Sequence, residues 1–262
     1  MDIGTAKPSA AELSRVRHHF IDIRDVSEPM NASVYSEMAL AAAEEIASRG
    51  REILVVGGSG FYLRSFFAAI ADGVEVSDET RAQVSALLES QGLPGVLAEL
   101  SLLNPGGLGN LDTDNPRRVT NALARCRASG RSLAQLAAEF EQLPSPFADW
   151  DVRLCRVDRD PVDLDVRIAA RVDAMLEAGL VEEVRRLAPG LAANLSAARA
   201  IGYRETLDVI EGRAPLASLA VKIVKDTRVL VKKQRTWFRT QLPEHRVVEA
   251  SSLTGPEDLF LL

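Results

Sequence analysis

Apolar and polar positions alternate along residues 19–26, His-Phe-Ile-Asp-Ile-Arg-Asp-Val, as in a half-buried strand. Beyond this stretch the period lengthens. Asn31 and Ser33 are placed to cap a helix over 34–48, rich in Ala, Glu and Met, which Gly50 ends. Residues 52–56, Glu-Ile-Leu-Val-Val, form a short apolar, β-branched run that predicts a buried strand. Gly57-Gly58-Ser59-Gly60 follows at once, and 61–71 reads as a helix. Helix, strand, glycine turn, helix is the grammar of an α/β fold on a parallel sheet.

After Asp72-Gly73 the strand signals stop. Short helices are expected over 78–90, 93–103, 115–128 and 133–141, separated by Gly and Pro turns. Residues 152–157 read as a returning strand. Asp160-Pro161 is an N-cap followed by proline at the first helical position. Leu164, Ile168, Val172, Met175, Leu180, Val184 and Leu187 then keep mostly helical spacing. Leu216, Leu219, Ile223, Thr227, Leu230, Gln234 and Trp237 share one stripe of a last helix. The organisation expected is an α/β core from 1–73 and 151–262, with 74–150 a mainly helical region.

Composition changes this picture little. The chain has 262 residues, 47% hydrophobic and 26% charged, enough for one good core with a small inserted domain. No apolar run approaches the roughly 20 residues of a membrane helix, so a cytoplasmic monomer that meets no membrane is expected. Cys126 and Cys155, with His18, His19 and His245, lack metal-ligand spacing; neither a structural zinc nor a disulfide is expected. The net charge of −6 argues against non-specific coating of nucleic acid. The charge is uneven, however. Lys222, Lys225, Arg228, Lys232, Lys233, Arg235 and Arg239 crowd a stretch with one acid, Asp226.

Several groups could carry chemistry. The glycine turn at 57–60 could bring backbone N–H groups to an anion, or serve only as a tight strand-to-helix turn. Arg167 and Arg171, four apart, lie on one helix face and make either a diphosphate clamp or surface salt bridges. Arg117 and Arg118 stand in a first helical turn, where the macrodipole does not favour cations; they suit phosphate contacts or a solvated helix end. Arg199 to Arg204 and Lys232 to Arg239 interleave cations with aromatics, as RNA loops prefer, although Trp237 also fits the apolar stripe. No GxxxxGK[ST] string occurs.

In order along the chain stand MDIGTAKP (1–8), HHFIDIRD (18–25), VGGSGFYLR (56–64), NPRRV (115–119), RI-x-x-RVDAML-x-x-GLVEEV (167–184), AIGYRE (200–205) and KKQRTWFR (232–239). Together they resemble the tRNA dimethylallyltransferases over nearly the whole chain. The resemblance implies a P-loop-kinase-like parallel sheet with helices on both faces, and a helical insertion that grips the anticodon stem-loop of tRNA. It implies transfer of a dimethylallyl group from dimethylallyl diphosphate to the exocyclic amine of the adenosine 3′ of the anticodon, assisted by Mg²⁺. Family chains carry MDIGTAKP well inside, after a P-loop and an Asp-Ser segment with the catalytic base. The resemblance therefore implies that the first strand, the P-loop and that base are missing ahead of Met1, leaving a chain weakly active or inactive.

Site residues follow from the same resemblance. Arg171 matches the arginine on the diphosphate and is expected to be catalytic with Ser59, with Arg167 assisting. Ser59 stands where most members have Thr beside the reacting adenine, and the hydroxyl is kept. Arg117, Arg118, Val119, Thr120 and Asn121 match a tRNA-contacting run, Asn121 at a position often basic. Arg199, Gly202, Tyr203 and Arg204, then Lys232, Lys233, Gln234, Arg235, Trp237 and Arg239, match two more. Two other readings are open: a non-catalytic anticodon-loop binder, and a prenyltransferase for a free adenine nucleotide.

Overall fold

The computed structural model describes residues 1–260. The helices are α1 (Ala10–Arg15), α2 (Ala32–Ser48), α3 (Gly60–Leu63), α4 (Asp78–Leu103), α5 (Pro116–Ser129), α6 (Leu133–Glu141), α7 (Pro161–Glu177), α8 (Leu180–Ala193), α9 (Leu195–Ala198), α10 (Tyr203–Ile210) and α11 (Leu219–Gln241). The strands among the described residues are β1 (Cys155–Asp158) and β2 (Arg246–Glu249), parallel and in register from Cys155↔Arg246 to Asp158↔Glu249. The fold is α/β, mostly helical, with a small parallel sheet. Helices α7 to α11 form the crossover that parallel pairing demands.

Two compact units result: residues 1–63 with the chain from Asp151 onward, and residues 64–150. In the first, Val172 and Met175 of α7, Leu180, Val184 and Leu191 of α8, Tyr203 of α10, and Leu219 and Ile223 of α11 form one buried cluster. The expected stripe from Leu164 to Leu187 is broken where Gly179, at φ 91°, separates α7 from α8. Asp160 caps α7 through the Val162 and Asp163 amides, with Pro161 behind it. In the second unit, Val96 and Leu100 of α4 pack with Val119, Leu123 and Cys126 of α5 and Leu136 of α6. Gly92, at φ 66° and ψ −172°, kinks α4 between the two predicted helical stretches. Buried Asn104 ties the unit together: its side-chain oxygen accepts from Leu133 N at 2.6 Å, and its amide donates to Leu100 O at 2.7 Å.

Two predicted strands are corrected. Residues 19–26 are turns and bends, and 52–56 have no regular structure. A β-branched run becomes a strand only when neighbours satisfy its backbone. Among the described residues β1 and β2 pair with each other alone. Leu54 and Val56 accordingly stand 62% and 84% exposed. The helix expected over 61–71 shrinks to α3 and one 3₁₀ turn, Arg64–Phe66. Strand β2 was not foreseen.

Candidate functional site

The first residues are fastened by one carboxylate. Glu183, in the first turn of α8, is buried and accepts from the backbone amides of Asp2, Ile3 (3.2 Å) and Gly4 (3.3 Å), and from the Tyr203 hydroxyl at 2.8 Å. Successive N–H groups turned toward one anion make a nest, here filled by the protein's own side chain. Burial pushes the Glu183 carboxyl up, but the bonds from Asp2, Tyr203, Gly4 and Ile3 outweigh it and hold the group below its usual range. Burial and the facing carboxylate push the Tyr203 hydroxyl strongly upward, so it stays protonated as the donor. Gly4 is required by contact: a Cβ there would lie 2.4 Å from the Tyr203 ring.

This fastening shapes an open cleft of about 570 Å³, lined by Asp2, Ile3, Ala6, Lys7, Pro8 and Asp22 on one side and Arg171, Ala174, Met175 and Ala178 on the other. Lys7 is ion-paired with both Asp2 and Asp22. Ala6 (φ 50°) and Asp22 (φ 54°) hold left-handed backbone conformations unfavourable for residues with a Cβ. Arg171 is exposed and has no carboxylate within ion-pair distance among the described residues. Arg167, one turn earlier on α7, is outside the cleft and donates to Asp163 at 3.1 Å. The two arginines share a helix but not their surroundings. Asp2, Lys7, Asp22 and Glu183 carried no role in the sequence reading. Glu183 had a signal: it lies three residues after Leu180, on the apolar stripe, where an acid must find partners.

A second cluster joins the glycine turn to α11. Gln234 donates to Gly58 O at 2.8 Å. A Cβ on Gly58 would lie 2.7 Å from the Gln234 amide, and one on Gly60 would lie 2.2 Å from the Trp237 ring. The turn is thus glycine-rich because a helix packs directly on it. Ser59, between those glycines, is exposed. Trp237 is half-buried over Gly60 and meets Phe238 edge-on at 5.8 Å, so it serves packing.

The cations separate into bound and free. Arg235 donates to Asp158 at 2.9 Å and Arg228 to Asp165 at 3.0 Å. Arg204 bonds Asp226 at 2.7 Å and the buried Glu205. Lys225, Lys232, Lys233, Arg239 and Arg199 are exposed without a carboxylate partner among the described residues. In the second unit, Asn115 caps α5 and Pro116 opens it. Arg117 and Asn121 are exposed, and Arg118 pairs loosely with Asp112 at 3.4 Å. Thr120 turns its hydroxyl back to Pro116 O at 2.9 Å.

Three of the residues matched to tRNA-contacting runs lie inside the protein. Tyr203 and Val119 are both 0% exposed, and Gly202 is buried. A ring without an open face cannot stack on a base, and Val119 belongs to the α5 core. Gly202 stands at φ 92°, where its freedom shapes the turn into α10. The described carboxylates of the cleft do not by themselves make up a Mg²⁺ site. Among the described residues no cluster of three potential ligands occurs, and the cleft carboxylates Asp2 and Asp22 are both engaged by Lys7. No helix among the described residues is long and apolar enough to cross a membrane.

The profile of the IPP transferase family matches residues 1–241. A tRNA dimethylallyltransferase of Opitutus terrae is 62% identical over 261 residues, covering 99% of this chain and 84% of its own. The crystal structure of the full-length tRNA isopentenylpyrophosphate transferase of Bacillus halodurans superposes with a TM-score of 0.64 at 29% identity, over 95% of this chain and 77% of that one. A eukaryotic dimethylallyltransferase, captured acting on tRNA, shares the fold with a TM-score of 0.79 at 22% identity, covering 98% of this chain and 66% of that one. The glycine turn braced by α11 and the cleft facing Arg171 are therefore features of a chain that belongs to the IPP transferase family.

Proposed function

We propose that this chain transfers a dimethylallyl group from dimethylallyl diphosphate to the exocyclic amine of the adenosine 3′ of the anticodon in tRNA. The observation behind this reading is Arg171, a guanidinium with no carboxylate partner among the described residues, facing the cleft built by the MDIGTAKP segment. A relative of the same kind at 62% identity supports it.

The chemistry asks for little. The bond from the allylic C1 to the diphosphate oxygen breaks, the adenine amine bonds to C1, and one amine proton is released. Charge accumulates on the departing pyrophosphate, where a fixed cation lowers the barrier most. Arg171 supplies that cation, and its planar fork suits two phosphate oxygens. Ser59 offers the extruded base a hydroxyl from the turn held by Gln234. Lys232, Lys233, Arg239 and Arg199 in one unit, and Arg117, Arg118, Thr120 and Asn121 in the other, are the proposed tRNA contacts. Gln234, Arg235, Trp237 and Arg204 support them from behind. In this reading the small β1–β2 sheet belongs to a P-loop-kinase-like sheet, and a bound Mg²⁺ would help Arg171 neutralise the diphosphate.

The test is prenyl transfer from labelled dimethylallyl diphosphate to an anticodon stem-loop, with AMP as competitor. Label in the adenosine 3′ of the anticodon is expected. Preference for AMP, or stem-loop binding without any transfer, would overturn the reading.

A further inference from the structure

The buried carboxylate of Glu183 sits outside the cleft, yet it holds the backbone on which one cleft wall hangs. We propose that Glu183 is a positioning residue for anion binding: by fixing the amides of Asp2, Ile3 and Gly4 it places Lys7 opposite Arg171. This inference rests on the reading of the cleft as the diphosphate site.

Three observations carry it. First, Glu183 makes no ion pair among the described residues; its partners there are three consecutive backbone amides and the Tyr203 hydroxyl. A carboxylate on an apolar stripe, 2% exposed, is costly to bury, and these four bonds offset that cost only while the 2–4 backbone stays in place. Second, the fastened segment cannot slide. Gly4 lies against the Tyr203 ring so closely that no side chain fits. Third, the loops beyond the fastening hold unfavourable backbone angles at Ala6 and Asp22, both in the cleft wall. Such angles persist only where surrounding contacts enforce them. Glu183 supplies that enforcement at one end, and the Lys7 pairs with Asp2 and Asp22 at the other.

Lys7 and Arg171 are the cations among the cleft-lining residues. Lys7 is already paired with Asp2 and Asp22, so an anion bridging the two cations shares its ammonium with those carboxylates and gains from it only if the ammonium is already in place. A misplacement of about 1 Å can lower binding or rate by as much as about a hundredfold. Glu183 thus acts on the cleft through Lys7, without touching the ligand.

The test uses inorganic pyrophosphate binding to the full chain by calorimetry, in a double-mutant cycle. Glu183→Gln is expected to weaken affinity at least about tenfold, given what misplacement costs. On a Lys7→Ala background the same substitution should add nothing further. A merely structural role would give equal losses with and without Lys7, and that result, or unchanged affinity in Glu183→Gln, overturns the proposal. Should Glu183→Gln fail to fold, Gly4→Ala displaces the same loop with the carboxylate intact, and the same coupling to Lys7 is expected. Arg171→Ala separates the two readings. If it leaves affinity unchanged while the Glu183–Lys7 coupling holds, the role of Arg171 falls and the positioning stands. Absence of any pyrophosphate binding would overturn both.

Discussion

The Tyr203 hydroxyl donates to the Glu183 carboxylate at 2.8 Å, across the junction of α10 and α8, with both side chains buried. A neutral donor facing a buried anion makes a stronger bond than a neutral pair. Tyr203→Phe keeps the ring that packs on Gly4 and deletes the bond alone. It should cost about 1.5–3 kcal/mol, the usual range for hydrogen bonds to charged groups. Urea denaturation with an unchanged m-value would measure it; a loss near zero would mean that the three backbone amides suffice.

The same carboxylate sets an acid limit. Its folded pKa lies below the ordinary value of 4.5. A depressed carboxyl contributes stability that is full above its unfolded pKa and is lost as pH falls through the folded one. The Tm of the wild-type chain should therefore decline below pH 4.5. In Glu183→Gln the decline should be shallower, from a lower plateau at neutral pH. Parallel acid limbs in the two proteins would place the loss in other carboxylates, such as Asp2, which its bond to Lys7 also holds low.

Arg171 and Arg167 make a controlled comparison on one helix. Arg171 faces the cleft without a carboxylate, whereas Arg167 is occupied by Asp163. Losing a fixed charge from a developing anion costs about a hundred- to a thousandfold in rate. Arg171→Ala should show that loss in kcat/KM for the diphosphate donor. Arg167→Ala removes an exposed pair of little worth and should stay within about threefold of wild type. Similar losses in both would restore the two-arginine clamp.

The glycines of the turn are not equivalent. A Cβ on Gly60 would meet the Trp237 ring at 2.2 Å, whereas nothing lies within 4 Å of one on Gly57. Gly60→Ala must push the turn off α11, with a penalty of about 1–3 kcal/mol typical of overpacking. Gly57→Ala should leave thermal stability nearly unchanged. Equal effects would mean that backbone freedom, rather than contact, selects glycine here.

Local chemistry explains what the sequence made legible. The cap of α7 was visible because Asp160-Pro161 acts within one turn. The break at Gly92 was visible because glycine and Pro94 interrupt a helical period. The strands were not. Residues 52–56 have strand composition but lack a neighbour, and β2 exists only because β1 pairs with it across a long crossover. Arg171 could be named from its helix, but its separation from Arg167 depends on Asp163 and on a cleft formed from the other end of the chain. The basic run on α11 looked uniform; Asp158, Asp165 and Asp226, distant or one turn away, decide which cations are spent.

That division of cations predicts how α11 answers to salt. Lys232 and Lys233 are exposed and have no carboxylate partner among the described residues, so each is free to replace a counterion on RNA. Arg235 is bound to Asp158 at the end of β1 and has that ion pair to lose. Each phosphate contact removed should flatten the plot of log affinity against log salt by about 0.7 for single-stranded RNA. Lys232→Ala with Lys233→Ala should therefore lower the slope by about 1.4 for an anticodon stem-loop, with the melting temperature unchanged. Arg235→Ala should do the reverse: it should lower the melting temperature, because Asp158 loses its cross-element partner, and leave the slope nearly intact. Filter binding across a salt series, paired with thermal melts of the same variants, separates the two effects. If Arg235→Ala flattens the slope as much as the lysine pair does, its guanidinium must leave Asp158 to meet RNA, and the division between bound and free cations fails.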